Sequence, residues 1–331
     1  MKADLELIKQ ISCGAVSVIE YDGVIEFHRM TAAQENVLRP KGDFYQKSLA
    51  SAGIRLEFET DAAQIRFSGF FAPIFRRKTA FFDIAVNGVL VHHEGTMDFG
   101  SEPEFDITLP LDHGSSNRVV IYFPSLAITC IRTLEFTAAT TIKPLQKSCC
   151  IFCYGDSISQ GATAHHPSLS YTNLLADALN ARMYNKSICG GIFDPEFSHE
   201  PDTMVPQLIT VAYGTNDWKK TTIGELEANA RKFLDDLNRH YPGTPIAAIT
   251  PIWRKDTASI QKAGTFQDVL ALLNRIYSRY SNVTVIDGMS LTPHLTDFFE
   301  DTSLHPDDRG FLLYGYNLLK HPVFDRFKNR A

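Results

Sequence analysis

The chain changes its hydrophobic pattern once, about 145 residues from its start. Before that point apolar and polar positions alternate, the period of a strand with one buried face. Ile54, Leu56 and Phe58 alternate, as do Phe82, Ile84 and Val86, and later Val119, Ile121 and Phe123. Asn87-Gly88 stands between two such runs and predicts a type I′ hairpin, whose two central residues need positive φ. His113 to Asn117 reads as a longer polar turn. Between Ile54 and Phe136 no stretch of ten residues keeps a helical period. Short alternating strands of this kind predict a β-sandwich, of the jelly-roll type, in which two sheets bury their apolar faces against each other.

After Lys143-Pro144 the alternation gives way to short apolar runs separated by helical periods. Cys150 to Tyr154, Met183 to Ile188, Leu208 to Tyr213, Ile246 to Thr250 and Val283 to Ile286 read as buried strands. Ser170 to Asn180 reads as a helix with Leu174, Leu175, Ala178 and Leu179 on one face. Thr222 and Glu225 form a capping box that opens a helix over Ile223 to His240, with Leu226, Ala230, Phe233, Leu234 and Leu237 as its stripe. Phe266 to Tyr280 reads as another amphipathic helix. Strands alternating with helices predict a parallel sheet covered on both faces. The domains are therefore expected at 1–145 and 146–331.

Composition narrows the function. Of 331 residues 44% are hydrophobic and 21% charged, which excludes bulk disorder. Lys plus Arg is 32 and Asp plus Glu 38, so the net charge of −6 argues against nucleic acid or an anionic membrane as partner. No apolar run approaches the roughly 18 residues that span a bilayer. The first ten residues carry Asp4 and Glu6 where a signal peptide needs a basic region. Six cysteines in a chain of this length do not suggest a disulfide framework. These features predict a cytoplasmic protein with reduced thiols.

In parallel sheets ligands bind at the carboxyl ends of the strands. The first strand runs into Gly155-Asp-Ser157-Ile-Ser159-Gln-Gly161. Alone, this tripeptide of Gly, Asp and Ser is ordinary turn chemistry. It lacks the G-x-S-x-G elbow, since residue 159 is serine, and it meets neither glycine spacing of a phosphate or dinucleotide loop. The other strand ends alter its meaning. Asn185 to Gly191 follows the second strand, Tyr213-Gly-Thr-Asn216-Asp217 follows the third, and Asp301-Thr-Ser-Leu-His305 precedes the last helix.

Serine, glycine, asparagine and histidine in that order resemble the four blocks of the GDSL, or SGNH, hydrolases. The resemblance runs from Cys150 to the C-terminus and implies a flavodoxin-like three-layer α/β/α domain. It implies Ser157 as nucleophile and His305 as base, with the Ser157 and Gly190 backbone N–H groups and the Asn216 amide as oxyanion hole. Gly191 takes the glycine role if the register differs by one. The chemistry agrees, because a serine hydroxyl needs an adjacent base and the developing oxyanion needs preorganised donors.

The acid member departs from the family pattern, which places Asp three residues before the histidine; here that position is Thr302. Asp301 lies four residues before His305 and reaches it if the segment forms a helical turn. A Ser–His dyad completed by a backbone carbonyl or by Glu300 is the alternative.

Other motifs have plainer readings. Cys150 and Cys153 lie three apart in a strand and face opposite ways, so they cannot chelate one ion. His165-His166 reads as a solvated loop before it reads as a metal site. Asp156 resembles the family's fixed aspartate and is assigned to hydrogen bonds with loop backbone. Trp253-Arg254 follows the fourth strand and is either packing or the wall of a substrate pocket.

A β-sandwich followed by an SGNH domain resembles the family-two carbohydrate esterases. That resemblance implies a serine esterase removing acetyl groups from a small-molecule or oligosaccharide substrate, with no cofactor and no metal. The alternatives are a lysophospholipase or thioesterase for longer acyl chains, and a carbohydrate-binding protein with weakened catalysis. Homo-oligomerisation remains open.

Overall fold

The computed structural model describes residues 1–74, 78–100 and 103–328. The chain divides into two compact units. The first takes Met1–Thr31, Gln46–Gln146 and His166–Ser168; the second takes Ala32–Tyr45, Lys147–His165 and the chain from Leu169 onward.

The first unit is built from two antiparallel sheets. One orders Ser12–Cys13, Arg55–Thr60, Asn117–Tyr122, Ala80–Val86 and Val89–Thr96, with Ile142–Pro144 also paired to Arg55–Thr60. The other orders Ser17–Tyr21, Val24–His28, Ala127–Thr137, Gln64–Pro73 and Glu104–Pro110. The alternating residues of both sheets meet in one core. Phe67 of one sheet sits edge-on to Phe82 of the other at 5.2 Å, and Phe58 meets Phe136 at 5.3 Å. Each fully buried phenylalanine contributes roughly 1.5–3 kcal/mol of transfer free energy, which is why the alternation carries so much structural information. Asn87 and Gly88 stand at φ +51° and +82°, as the hairpin requires.

The first stretch also contains helices that its alternation does not announce: Leu5–Ile11, Ala32–Leu38 and Asp43–Ser48. Each is shorter than propensity alone can hold, so packing and caps decide. Leu5–Ile11 buries Ile8 and Ile11, and its cap is Asp4, which accepts from the Leu7 N–H at 2.8 Å.

The second unit carries a five-stranded parallel sheet ordered Ala181–Asn185, Cys149–Gly155, Leu208–Ala212, Ile246–Ile249 and Val283–Ile286. In chain order this is 2-1-3-4-5, the flavodoxin-like arrangement. Ile151 and Cys153 of strand Cys149–Gly155 join a core with helices Tyr171–Ala178 and Asp308–Leu319. Tyr154 points the other way, to Phe197 at 6.1 Å and to Phe233 of helix Ile223–His240 at 5.5 Å. Helices therefore cover both faces.

The capping box at Thr222 and Glu225 is present. Helix Tyr171–Ala178 buries Tyr171, Leu175 and Ala176, whereas Ala178 is exposed and Leu174 half-buried. Of the expected face, Leu175 and Leu179 are fully buried; the other two positions turn outward because polar Thr172 and Asn173, which carry no hydrophobic signal, are buried in their place. The helix beginning at Phe266 ends at Tyr277. Among the described residues no helix is long and apolar enough to cross a membrane.

Candidate active site

Ser157 opens a single helical turn, Ser157–Gln160, directly after strand Cys149–Gly155. Asp156 caps that turn by accepting from the Ile158 N–H at 2.9 Å. Gly161 closes it at φ +79°. Gly155 is required for a different reason: a Cβ there would lie 2.2 Å from Ser159 Oγ. Ser159 fills the position where a G-x-S-x-G elbow has glycine. Its hydroxyl instead meets the Tyr171 hydroxyl at 2.6 Å and ties the turn to the following helix.

The Ser157 hydroxyl is 2.8 Å from His305 Nε2. On the other side of the ring, His305 Nδ1 lies 2.7 Å from Asp301 Oδ2. Asp301 Oδ1 accepts the backbone N–H groups of Ser303, Leu304 and His305 at 3.0, 2.7 and 3.0 Å. Burial raises the Asp301 carboxyl, but the His305 ring and these N–H groups outweigh it and hold the group well below the usual range.

The spacing of four is not accommodated by a helical turn, as the sequence suggested. Thr302 adopts φ +53°, a left-handed conformation that a β-branched residue rarely takes. That residue turns the loop so that three successive N–H groups face one carboxylate oxygen. Glu300, the alternative acid, directs its carboxylate toward His165 instead, 3.6 Å away.

The groups expected to form the oxyanion hole lie at three strand ends. Ser157 stands in the first turn of its helix, where N–H groups have no intrahelical acceptor. The Asn216 amide donates to Gly191 O at 3.1 Å and approaches Asp156 Oδ2 at 3.4 Å. One side chain thus links the neighbour of Ser157 to the neighbour of Gly190. The Gly191 N–H is occupied by Ile188 O at 2.8 Å, which leaves Gly190, at φ +78°, as the better donor.

Burial pushes the Asp156 carboxyl up to about 6, against the Ile158 N–H and the charges of His305, Arg254 and Lys220. Burial likewise pushes Asp217 up to about 7, opposed by N–H groups that include those of Phe193 and Gly214. Asp217 thereby fixes the loop that carries Asn216.

Arg254, read as either packing or the wall of a substrate pocket, makes the contacts of the packing reading, its guanidinium lying over the Trp218 ring at 5.1 Å. It is buried, its guanidinium pairs with Asp256, and Nη1 donates to the Thr215 carbonyl and hydroxyl at 3.2 and 3.1 Å. It supports the residue preceding Asn216. Trp253 is half-buried, stacked on His294 at 5.7 Å and packed on Phe299 at 5.2 Å.

Two features of this region went unread in the sequence. Lys220 donates to Gly190 O at 2.6 Å, and Phe44 lies under its ammonium at 5.4 Å. A cavity of about 450 Å³ is lined by Leu38, Phe44, Ile188, Gly191, Ile192, Phe193, Phe197 and Tyr213, with Lys41, Lys220 and Asn229 among its polar groups. Its wall from Ala32–Tyr45 is pinned by Lys41, which pairs with Asp194 at 2.5 Å and Glu196 at 2.8 Å. The signal was absent because that wall comes from residues more than a hundred positions away.

Residues 153–313 match the model of the GDSL-like lipase/acylhydrolase family. No curated protein sequence matches the chain. Among solved structures, a salicylyl-acyltransferase from a tetracycline biosynthetic pathway superposes with a TM-score of 0.79 at 19% identity, over 94% of this chain and 93% of that one. A family two carbohydrate esterase from Clostridium thermocellum, in complex with cellohexaose, gives 0.66 at 15% identity, over 85% and 94%. A family two carbohydrate esterase from Cellvibrio japonicus gives 0.64 at 14% identity, over 98% and 97%. Residues 153–313, which carry serine, glycine and asparagine at strand ends and histidine before the last helix, form a GDSL-like lipase/acylhydrolase family domain within the second unit.

Proposed function

We propose that this protein is a serine esterase that removes acetyl or other short acyl groups from carbohydrates. The observation that carries the reading is the continuous hydrogen-bonded series Ser157, His305, Asp301. Ser157 Oγ attacks the ester carbonyl while His305 Nε2 takes its proton, and Asp301 stabilises the imidazolium that forms. The oxyanion is held by the Ser157 and Gly190 N–H groups and the Asn216 amide. The Nε2–H then protonates the sugar's ester oxygen as its bond to the acyl carbon breaks, so the sugar leaves as an alcohol, and the same imidazole activates the water that frees the acid. No step calls on a cofactor. The β-sandwich, as a jelly roll, presents the sugar, and the substrate is an acetylated oligosaccharide met in the cytoplasm.

The cavity beside Gly191 favours a second reading, in which the acyl group is larger than acetyl. Its walls are mainly aromatic and aliphatic, and about 450 Å³ falls within the range of small-molecule sites. A p-nitrophenyl ester series from acetate to octanoate, with benzoate included, separates the two. Highest kcat/KM on acetate, together with release of acetate from acetylated oligosaccharides, supports the first reading. A maximum at butyrate or beyond supports the second. No turnover of any ester by the wild type, or undiminished turnover by Ser157→Ala, overturns both.

A further inference from the structure

We propose a divalent transition-metal site in the first unit, formed by Asp83, His93 and His166. Asp83 and His93 face each other on paired strands, and His166 arrives on the segment His166–Ser168. Asp83 is fully buried, whereas both histidine side chains are about one-third exposed. Asp83 Oδ1 lies 2.8 Å from His93 Nδ1 and 3.0 Å from His166 Nδ1. The three candidate ligand atoms all fall within 4.8 Å of one another.

Three physical arguments favour a cation here. First, a buried carboxylate needs a compensating charge, and among the described residues its ion partners are these two imidazoles. Second, Asp83 Oδ2 is held separately, by the Ser168 N–H at 3.0 Å and the Ser168 hydroxyl at 2.5 Å. A ligating carboxylate is oriented in this way by its outer hydrogen bonds. Third, metal–ligand bonds of about 2.0–2.1 Å place neighbouring ligand atoms roughly 3 Å apart, close to the 2.8 and 3.0 Å from Asp83 Oδ1 to the two histidines.

Two imidazole nitrogens and one carboxylate oxygen select a borderline ion of the Zn²⁺, Co²⁺ or Ni²⁺ type over Mg²⁺ or Ca²⁺. On binding, a neutral imidazole that holds its proton on Nδ1 moves it to Nε2; a protonated one releases a proton to solvent. The ion would pin His166–Ser168 to the strand pair. His166, first read as part of a solvated loop, thus joins residues 73 and 83 positions away.

The test uses the full chain, treated with EDTA and dialysed, then titrated with Zn²⁺ by calorimetry and with Co²⁺ by visible absorption. Expected are one equivalent bound, Co²⁺ d–d bands, and a rise in Tm with Zn²⁺. His166→Gln, whose side chain is partly exposed, is expected to keep the wild-type circular dichroism and to bind on the order of a hundredfold more weakly. His93→Gln serves as an independent second variant. Absence of stoichiometric binding by the wild type overturns the proposal. Equal binding by folded His166→Gln and His93→Gln also overturns it, because the ion would then sit on other side chains.

Discussion

Asp301 grips His305 twice: one carboxylate oxygen lies 2.7 Å from the ring Nδ1, and the other accepts the backbone N–H of the same residue at 3.0 Å. Ring and backbone are therefore oriented by a single side chain. The arrangement gives the spacing of four the geometric result expected of a shorter spacing.

Removing this grip should cost both orientation and charge stabilisation. Asp301→Asn is expected to lower kcat on p-nitrophenyl acetate by about 10³–10⁴-fold with KM little changed. Glu300→Ala should stay within about threefold of wild type, since its carboxylate faces His165. Steady-state kinetics on both variants check this. Comparable losses would reassign the acid.

Thr302 stores local strain at φ +53°, of order 1–2 kcal/mol for a non-glycine residue. Thr302→Asn, which tolerates the left-handed region, should leave kcat unchanged and raise stability by a few tenths of a kcal/mol up to about 1. Thr302→Pro cannot adopt this φ and also removes the N–H that bonds Phe299 O at 2.9 Å. It should impair turnover about as severely as Asp301→Asn. Urea unfolding and kinetics on both variants read this out.

Asn216→Ala deletes the side-chain amide proposed to hold the oxyanion and should lower kcat by about 10²–10³-fold. Arg254→Met should reach the same step indirectly, by freeing Thr215, and lower kcat about tenfold. A KM change without a kcat change in Arg254→Met would point instead to direct substrate contact.

Asp156 binds its proton more tightly in the fold, at about 6, than its ordinary value of 3.8. Its contribution to stability is therefore complete below pH 3.8 and is lost as pH rises through 6. A shift of this size corresponds to roughly 3 kcal/mol at most. Asp156→Asn keeps a capping side chain and should flatten the dependence between pH 4 and 6, leaving that of Asp217, which extends to about 7. Urea unfolding across pH 4–8 measures the difference.

The cavity beside Gly191 can be filled from Ile192. Ile192→Trp should reduce kcat/KM on butyrate or benzoate esters by at least about tenfold while acetate changes by less than about threefold. Equal losses on all esters would place the acyl group elsewhere.

The periodicities and blocks of the chain determined much of this by themselves. Alternation at Leu56, Phe58 and Phe82 specified the two-sheet core, because the period of a strand is set by covalent geometry and each buried ring is worth several RT. The run ending at Gly155-Asp156-Ser157 placed the serine at a strand end, since short apolar runs alternating with helices can only pack as a covered parallel sheet. Those are local rules and can be read locally. The tertiary structure alone decided how Asp301 reaches His305, because a left-handed Thr302 carries no compositional signal. It also placed Arg254 under Thr215, turned helix Tyr171–Ala178 onto a partly polar face, and brought Ala32–Tyr45 to the second unit. It brought Asp83, His93 and His166 together as well. In each case the deciding partner lies far away in the chain, and the energy of such contacts depends on burial and distance, which periodicity does not encode.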